Sequence, residues 1–470
     1  MNPSSSIAMF IDSHAHLESA PGNGKPSDIL ARAQAAGVER ILAIGSGTGP
    51  GTLDCAIQFA DQYDWIYATV GIHPHESRLA DEKDFEQISE LSRHPKVLAV
   101  GEIGLDYFYD HSPRDVQQKV FTRQVRLARD LGLPIVVHSR DAELDTLEIL
   151  RKEWRTTRLG GILHCFTGSV EMARAAIELG FLISFSGIIT FKKSQAIRDV
   201  ARSLPNEKVL IETDSPYLAP EPHRGKTNEP AFVVETARVL AEIRGLTTED
   251  IARITRFNFN RFFKLPDPAI GRRTVTYRIR HSIYINLTTR CTADCVFCAR
   301  LYDPVVSGYY LGLKEHEEPG PQEIIAEIGD PKQFEEVVFC GYGEPTLRLE
   351  VVKEVARAVK SRGGATRIDT IGHANLIHKR NVVPELVGLI DHVSISLNAA
   401  DADKYEKLCR TEFPGEAFNG MLEFARESVK HLPRVTMSVV RVPNLNLEAC
   451  KRLADEVGAV FRIREYDLVG

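Results

Sequence analysis

The sequence predicts an α/β protein with two barrels in series, a closed (β/α)8 barrel followed by a partial (β/α)6 barrel. Three observations carry this expectation. Short β-rich apolar runs alternate with helical patterns, the arrangement of repeated βα units around a parallel sheet. Eight such runs precede residue 265 and six follow residue 275. Between them "KLPDPAIGRR" is rich in Pro, Gly and charge and lacks periodicity, as an exposed interdomain linker does. A chain of 470 residues is also too long for one ordinary core. The expected boundaries are therefore a domain over 1–265, a linker over 266–275 and a second domain over 276–470.

In the first domain the runs are "AMFID", "RILAIG", "IYATVG", "VLAVGE", "PIVVHS", "GILHC", "FLISFS" and "VLIETD". A parallel barrel places its reactive groups at the carboxyl ends of the strands. His14 and His16 follow the first run in "SHAH", and His73 follows the third in "GIHPH". Glu102 ends the fourth, His138 the fifth, His164 the sixth and Asp214 the eighth. Side chains alternate along a strand with a period of two, so His14 and His16 share a side and suit one metal. Ionisable groups gathered at one end of a barrel are costly to bury unless paired or metal-bound. Imidazole and carboxylate ligands suit Zn, Mn, Fe or Mg, and two ions about 3.5–4 Å apart can clamp both oxygens of a displacement at phosphorus.

"FIDSHAHL", "GIHPH", "GEIGLDYFYD", "PIVVHSRDA", "HCFTGS" and "IETDSPYLAPEPHRGKTNEP" occur in family order, and over residues 7–265 the chain resembles TatD-family metal-dependent deoxyribonucleases. The resemblance implies that His14, His16, Glu102 and Asp214 hold one divalent ion (Mg, Mn or Zn). Glu102, His138 and His164 would hold a second, with Glu102 as the bridge. It gives the catalytic roles to Asp214, which would accept a proton from the attacking water, to His73 on the scissile phosphate, and to Glu102. Arg140 and the Arg224 to Lys226 loop become phosphate neighbours, and Asp106 and Tyr107 close the site. His75 and His94 are expected at the surface. The implied activity is hydrolysis of DNA phosphodiesters from the 3′ end. Some relatives are thought to act on aminoacylated tRNA, and the ligand residues alone do not separate these substrates.

The second domain resumes with "HSIYINL", "EVVFCG", "RIDTIG", "HVSISL", "RVTMSVV" and "VFRIREY", six strands that fit an incomplete barrel. Directly after the first of them, "TTRCTADCVFCAR" spaces Cys291, Cys295 and Cys298 as C-x3-C-x2-C. Thiolates select zinc, copper(I) or iron–sulfur clusters. Structural zinc wants a fourth ligand, and His281 and His316 lie at no zinc-finger spacing. Three thiolates on a four-iron cluster leave one iron open. With Phe297 inside the cysteine loop and "FCGYGEPT" after the second strand, residues 276–470 resemble the radical S-adenosylmethionine superfamily.

That resemblance implies a [4Fe–4S] cluster on the three cysteines, with S-adenosylmethionine on the open iron. Gly341 and Gly343 would let the backbone approach the methionine moiety while the Glu344 carboxylate takes its ammonium. Tyr342 stands between the glycines, a departure from Gly-Gly-Glu. Asn375, Ser396 and Asn398 would face the ribose or carboxylate, or else cap loops. An electron donor such as flavodoxin or ferredoxin is implied, and the sequence after the last strand gives no expectation of a second cluster.

Composition is that of a globular protein, with 43% hydrophobic and 26% charged residues. No apolar run is long enough to span a bilayer, and "MNPSSSIAMF" lacks signal-peptide features, so a cytoplasmic location without a membrane is expected. Cysteines other than the clustered three are scattered through apolar or helical contexts, as buried free thiols are in a reducing compartment. A net charge of −6 gives no global basic footprint, so nucleic acid would be met by local patches such as "FKK" and "HRGK". The leading expectation is a bifunctional enzyme, a dinuclear nuclease joined to a radical enzyme. The other readings are an aminoacyl-tRNA deacylase or small-molecule amidohydrolase, with the cluster domain as a redox sensor or binding module.

Overall fold

The structure is a computed structural model describing residues 8–18, 24–47, 49–267, 270–298, 300 and 304–465. It divides into two compact units, Met1–Asp267 and Pro268–Gly470.

In the first unit the strands are β1 (Phe10–Ala15), β2 (Val38–Ala43), β3 (Ile66–Val70), β4 (Val97–Asp106), β5 (Ile135–Arg140), β6 (Gly161–Leu163), β7 (Phe181–Phe185) and β8 (Val209–Ile211). They coincide with the eight expected runs and form one parallel sheet in sequence order. The seam between β1 and β8 is closed by main-chain bonds: Asp214 N–H donates to His14 O at 2.9 Å and His16 N–H to Ser215 O at 2.8 Å. This closure sets the two "SHAH" histidines beside Asp214.

The barrel interior is apolar and packed. Ile11, Leu42, Ile44, Ala99, Val136, Ile162, Leu182 and Leu210 meet there, with Phe259 contributed by the helix Thr248–Phe262. That helix starts at a capping box in which Thr247 and Asp250 satisfy each other's backbone N–H groups. The helix Arg114–Leu131 buries Gln117, Val120, Phe121, Gln124, Val125 and Ala128, the i, i+3, i+4 stripe of an amphipathic helix. Its two buried glutamines face strand ends: Gln117 accepts from Asp106 N–H at 2.8 Å, and Gln124 accepts from Ile72 N–H at 2.7 Å. The outer helix thereby fixes the two chain segments that carry Asp106 and His73.

In the second unit the strands are β9 (Thr276–Ile279), β10 (Ser282–Asn286), β11 (Val305–Val306), β12 (Tyr309–Tyr310), β13 (Val337–Cys340), β14 (Thr366–Thr370), β15 (His392–Ser396), β16 (Arg434–Arg441) and β17 (Val460–Glu465). The main sheet has the order β17-β16-β15-β14-β13-β10-β9. Its six parallel strands are the expected ones. β9 is an addition, antiparallel to β10 across the Arg280–His281 turn, and β11 and β12 form a separate hairpin. The run "HSIYINL" corresponds to β10 alone, and the turn before it carries neither Gly nor Pro to mark β9 as a separate strand. A continuous apolar core covers the outer face of this sheet, with Phe339, Ile368, Val393, Phe424 and Met437 fully buried.

Candidate active sites

At the carboxyl end of the first barrel the six expected metal ligands converge. His14 Nε2 lies 3.3 Å from His16 Nε2, 3.3 Å from Glu102 Oε2 and 3.7 Å from Asp214 Oδ1. His16 Nε2 is 3.5 Å from Glu102 Oε2 and 3.6 Å from Asp214 Oδ1. The other carboxylate oxygen, Glu102 Oε1, lies 2.6 Å from His164 Nε2, 2.9 Å from His138 Nδ1 and 3.4 Å from His73 Nε2. Lone pairs brought this close in a buried place call for cations, and the two Glu102 oxygens divide the imidazoles into two groups. The residues present fit two divalent ions.

Electrostatics follow from this crowding. Burial alone would raise Glu102, but the imidazoles of His164, His73 and His14 hold it well below the usual carboxylate range. Burial lowers His14. Burial also brings His73 down to about 4, so this ring is neutral at neutral pH. His16 moves the other way: burial is outweighed by its bonds to Asp214 and Glu18.

The cavity above these groups has a volume of about 920 Å³ and takes in Arg140. The Arg140 guanidinium sits 4.1 Å over Phe108 and 4.9 Å over Tyr109. Phe108, Tyr109 and Tyr217 are about half exposed at its mouth. Two expectations are corrected here. His75 is not a surface residue: it lines the cavity with Nε2 2.9 Å from Asp106 Oδ2, while the same oxygen is 3.0 Å from His138 Nε2. Arg224 to Lys226 do not line it, because Arg224 instead lies 4.0 Å over the Phe191 ring. His94 lies outside the site, paired with Asp61 at 3.1 Å.

Glu212 stands in the "IETDSP" motif, yet sequence reasoning gives it no role. It is fully buried, with Oε1 accepting from Cys165 N–H at 2.6 Å and lying 3.4 Å from His164 Nδ1. His14 Nδ1, His164 Nδ1 and Glu212 Oε2 are buried without a hydrogen-bond partner, and His14, His164 and Glu212 each bring a ligand atom within 4.8 Å of the others. The available signal is its spacing, two residues before Asp214.

In the second unit Cys291, Cys295 and Cys298 line one cavity of about 370 Å³ together with Gly341, Gly343, Glu344, Ser396 and Asn398. The cysteine loop is pinned by Asp294 N–H to Cys409 O and Val296 N–H to Leu408 O, each 2.9 Å, and Arg300 donates to Thr289 O and Ala293 O. Burial pushes the Cys291 thiol up to about 12 and raises Cys298, and contact with Cys409 raises Cys295. Such thiols ionise only against a soft cation. A Cβ on Gly343 would strike the carbonyls of Arg290 and Thr288, and Gly341 has a positive φ of 106° with Asn286 Oδ1 closing on it. Asn398 Oδ1 is buried without a partner. The glycine-lined cradle, the three thiols and the unpartnered amide oxygen fit an iron–sulfur cluster with a bound S-adenosylmethionine.

Two expected contacts differ. Glu344 is fully buried and already accepts from Thr346 N–H (2.9 Å), Thr346 Oγ1 (2.5 Å), Thr370 Oγ1 (2.8 Å) and Ile371 N–H (2.8 Å). It ties the glycine loop to the end of β14 rather than holding out a carboxylate. Asn375 does not line the cavity; its Oδ1 accepts from Val382 N–H at 2.9 Å, closing the turn after a short helix.

Comparisons with known proteins agree with this division. Residues 11–264 match the model of TatD related DNases, and residues 285–457 match the radical SAM superfamily. The uncharacterized metal-dependent hydrolase YabD of Bacillus subtilis strain 168 is 43% identical over 257 residues, 55% of this chain and all of that protein. The uncharacterized metal-dependent hydrolase YcfH of Escherichia coli K12 is 42% identical over 259 residues, 54% of this chain and 96% of that one. The crystal structure of YjjV, a TatD homolog from Escherichia coli K12, is 32% identical and superposes with a TM-score of 0.52 over 55% of this chain and 100% of its own. No helix among the described residues is long and apolar enough to cross a membrane. The chain therefore belongs to the TatD-related DNase family of metal-dependent hydrolases and continues into a radical S-adenosylmethionine domain, two enzymes of different chemistry in one polypeptide.

Proposed function

We propose that the first unit hydrolyses phosphodiester bonds of DNA from the 3′ end with two divalent ions, Mg, Mn or Zn. The second unit carries out a [4Fe–4S] and S-adenosylmethionine-dependent radical reaction fed by a flavodoxin or ferredoxin. The observation that carries the hydrolytic reading is the division of imidazoles between the two oxygens of Glu102. Bound ions would supply Lewis acidity and make water a nucleophile at neutral pH.

The chain's own groups do the rest. Glu102, His14, His16 and Asp214 would hold one ion and Glu102, His138 and His164 the other. Asp214, whose Oδ1 lies 3.7 Å from His14 Nε2 and 3.6 Å from His16 Nε2, would accept a proton from the attacking water. His73 Nδ1 accepts from the His75 backbone N–H at 3.2 Å, so its proton sits on Nε2, which lines the cavity 3.4 Å from Glu102 Oε1. A neutral ring in that tautomer donates to a phosphoryl oxygen. The half-exposed Tyr217 ring, and the Arg140 guanidinium held over Phe108 and Tyr109, offer an aromatic surface and a positive charge at the mouth of the cavity, which favours a polynucleotide over a small amide or ester.

The test uses the purified full chain with each metal, given 5′-labelled single-stranded DNA and, separately, small cyclic amides and esters. Stepwise shortening of the DNA, lost in His14→Ala with Glu102→Ala, is expected; turnover of the small substrates alone would overturn the nuclease reading. For the second unit, anaerobic reconstitution with S-adenosylmethionine and dithionite is expected to yield 5′-deoxyadenosine that disappears in Cys298→Ala. A fully loaded cluster that yields none would leave a sensing or binding module.

A further inference from the structure

The two barrels of this chain have opposite interiors. The first is filled by aliphatic side chains, as closed barrels are. The inner face of the second is polar: Arg367 and Asp369 on β14, Ser394 on β15, Ser438 on β16, and Arg462 and Arg464 on β17 all line the cavity that holds the cysteines. Arg462 and Arg464 are two residues apart on one strand and so point to the same side. Ser438 pairs in register with Arg462, and its small side chain leaves room for the long one to reach inward.

The guanidinium groups on this face differ in their pairing, and the Asp369 carboxylate that bonds Arg367 also acts on Arg464 from beyond ion-pair distance. Arg367 is neutralised by Glu336 at 2.6 Å and Asp369 at 2.9 Å. Neither Arg462 nor Arg464 makes an ion pair among the described residues. Arg464 Nη2 has only a long bond, 3.4 Å, to Ser396 Oγ. Two adjacent guanidinium groups beside a cavity, with their forks unused, match the charge and the oxygen geometry of a phosphate dianion better than a single carboxylate or an apolar group.

We propose that the substrate of the second unit carries a phosphate ester, and that Arg462 and Arg464 bind it. The inference rests on the radical-enzyme reading and names a substrate class for that site.

The test uses the reconstituted full chain with S-adenosylmethionine under anaerobic conditions. Hydrogen exchange of β16 and β17 is followed as deoxynucleoside 5′-monophosphates, the parent nucleosides or inorganic pyrophosphate are added. This local readout keeps phosphate bound at the first unit out of the signal. Phosphate-bearing probes, and not nucleosides, are expected to protect β17. Arg462→Gln with Arg464→Gln should weaken that protection at least tenfold while changing the affinity for S-adenosylmethionine less than threefold. The Lys pair, which keeps charge and loses the fork, should fall between.

Absence of protection by every phosphate probe in the unaltered protein would overturn the proposal. So would undiminished protection in the Gln pair, or loss of S-adenosylmethionine binding in that pair, which would assign the arginines to the cofactor's own carboxylate. Formation of 5′-deoxyadenosine is measured in the same samples, so failure of the radical reading is seen separately from failure of the phosphate assignment.

Discussion

Glu102 Oε1 lies 2.6 Å from His164 Nε2, so the end of β4 is joined to the end of β6 by a carboxylate whose other oxygen faces His14 at 3.3 Å. One side chain thus belongs to both candidate metal positions. Glu102→Ala is expected to remove both ions together, not one, and to lower hydrolysis at least ~100-fold. Metal content by plasma mass spectrometry, with the turnover rate alongside, checks this; retention of one full equivalent would show the two positions to be independent. Chelation of the unaltered protein should abolish hydrolysis and leave 5′-deoxyadenosine formation unchanged.

Glu212 Oε1 lies 3.4 Å from His164 Nδ1 and brings a carboxylate oxygen within 4.8 Å of His14, and three buried atoms without hydrogen-bond partners, His14 Nδ1, His164 Nδ1 and Glu212 Oε2, belong to these residues. A carboxylate that takes the remote ring N–H of a ligand histidine fixes its tautomer and basicity. Glu212→Gln should weaken metal binding roughly 10–100-fold. Calorimetric titration with Mn²⁺ measures it. An unchanged affinity, or a fall in thermal stability with no change in affinity, would confine Glu212 to packing.

Gly343 is wedged against the carbonyls of Arg290 and Thr288 at the root of the cysteine loop. An added methyl meets backbone on that side, which cannot swing away as a side chain would. Gly343→Ala is expected to cost about 1–3 kcal/mol, as overpacking does, and to lower cluster occupancy by displacing that loop. Iron content after reconstitution and the urea midpoint of the second unit test the two effects separately.

His373 is fully buried between Thr292 Oγ1 at 3.2 Å and Tyr405 OH at 2.9 Å, and burial lowers it from 6.5 to about 4. The unfolded chain then binds a proton that the folded one refuses between these values, so stability of the second unit rises with pH across that window and is lost as pH falls through it. The full effect is roughly 3 kcal/mol, because each tenfold change in proton affinity is worth about 1.4 kcal/mol. Both tryptophans, Trp65 and Trp154, lie in the first unit, so β14 amide hydrogen exchange is the suitable readout. The pH slope between 6.5 and 4 should shrink in His373→Gln; an equal slope in that variant would place the acid sensitivity elsewhere.

Eight strands are legible because a parallel strand covered on both faces is a short apolar run, and six more because one apolar face alternates with polar residues, both kinds set between helical stripes. β9 is not, because a two-residue turn without Gly or Pro leaves no mark between two β-rich segments. The candidate ligands His14, His16, Glu102, His138, His164 and Asp214 are legible because each stands at the end of an apolar run, and the barrel closes those ends into one ring.

What sequence alone determined is the inventory: which residue types stand at strand ends, and the cysteine spacing that suits an iron–sulfur cluster. Partnership was decided by the tertiary structure, because a hydrogen bond depends on angles and separations that chain position does not encode. Packing turned His75 onto Asp106 and brought Glu212 beside His14 and His164. It also committed Glu344 and Asn375 to their own loops, and left Arg462 and Arg464 lining the cavity without an ion pair among the described residues.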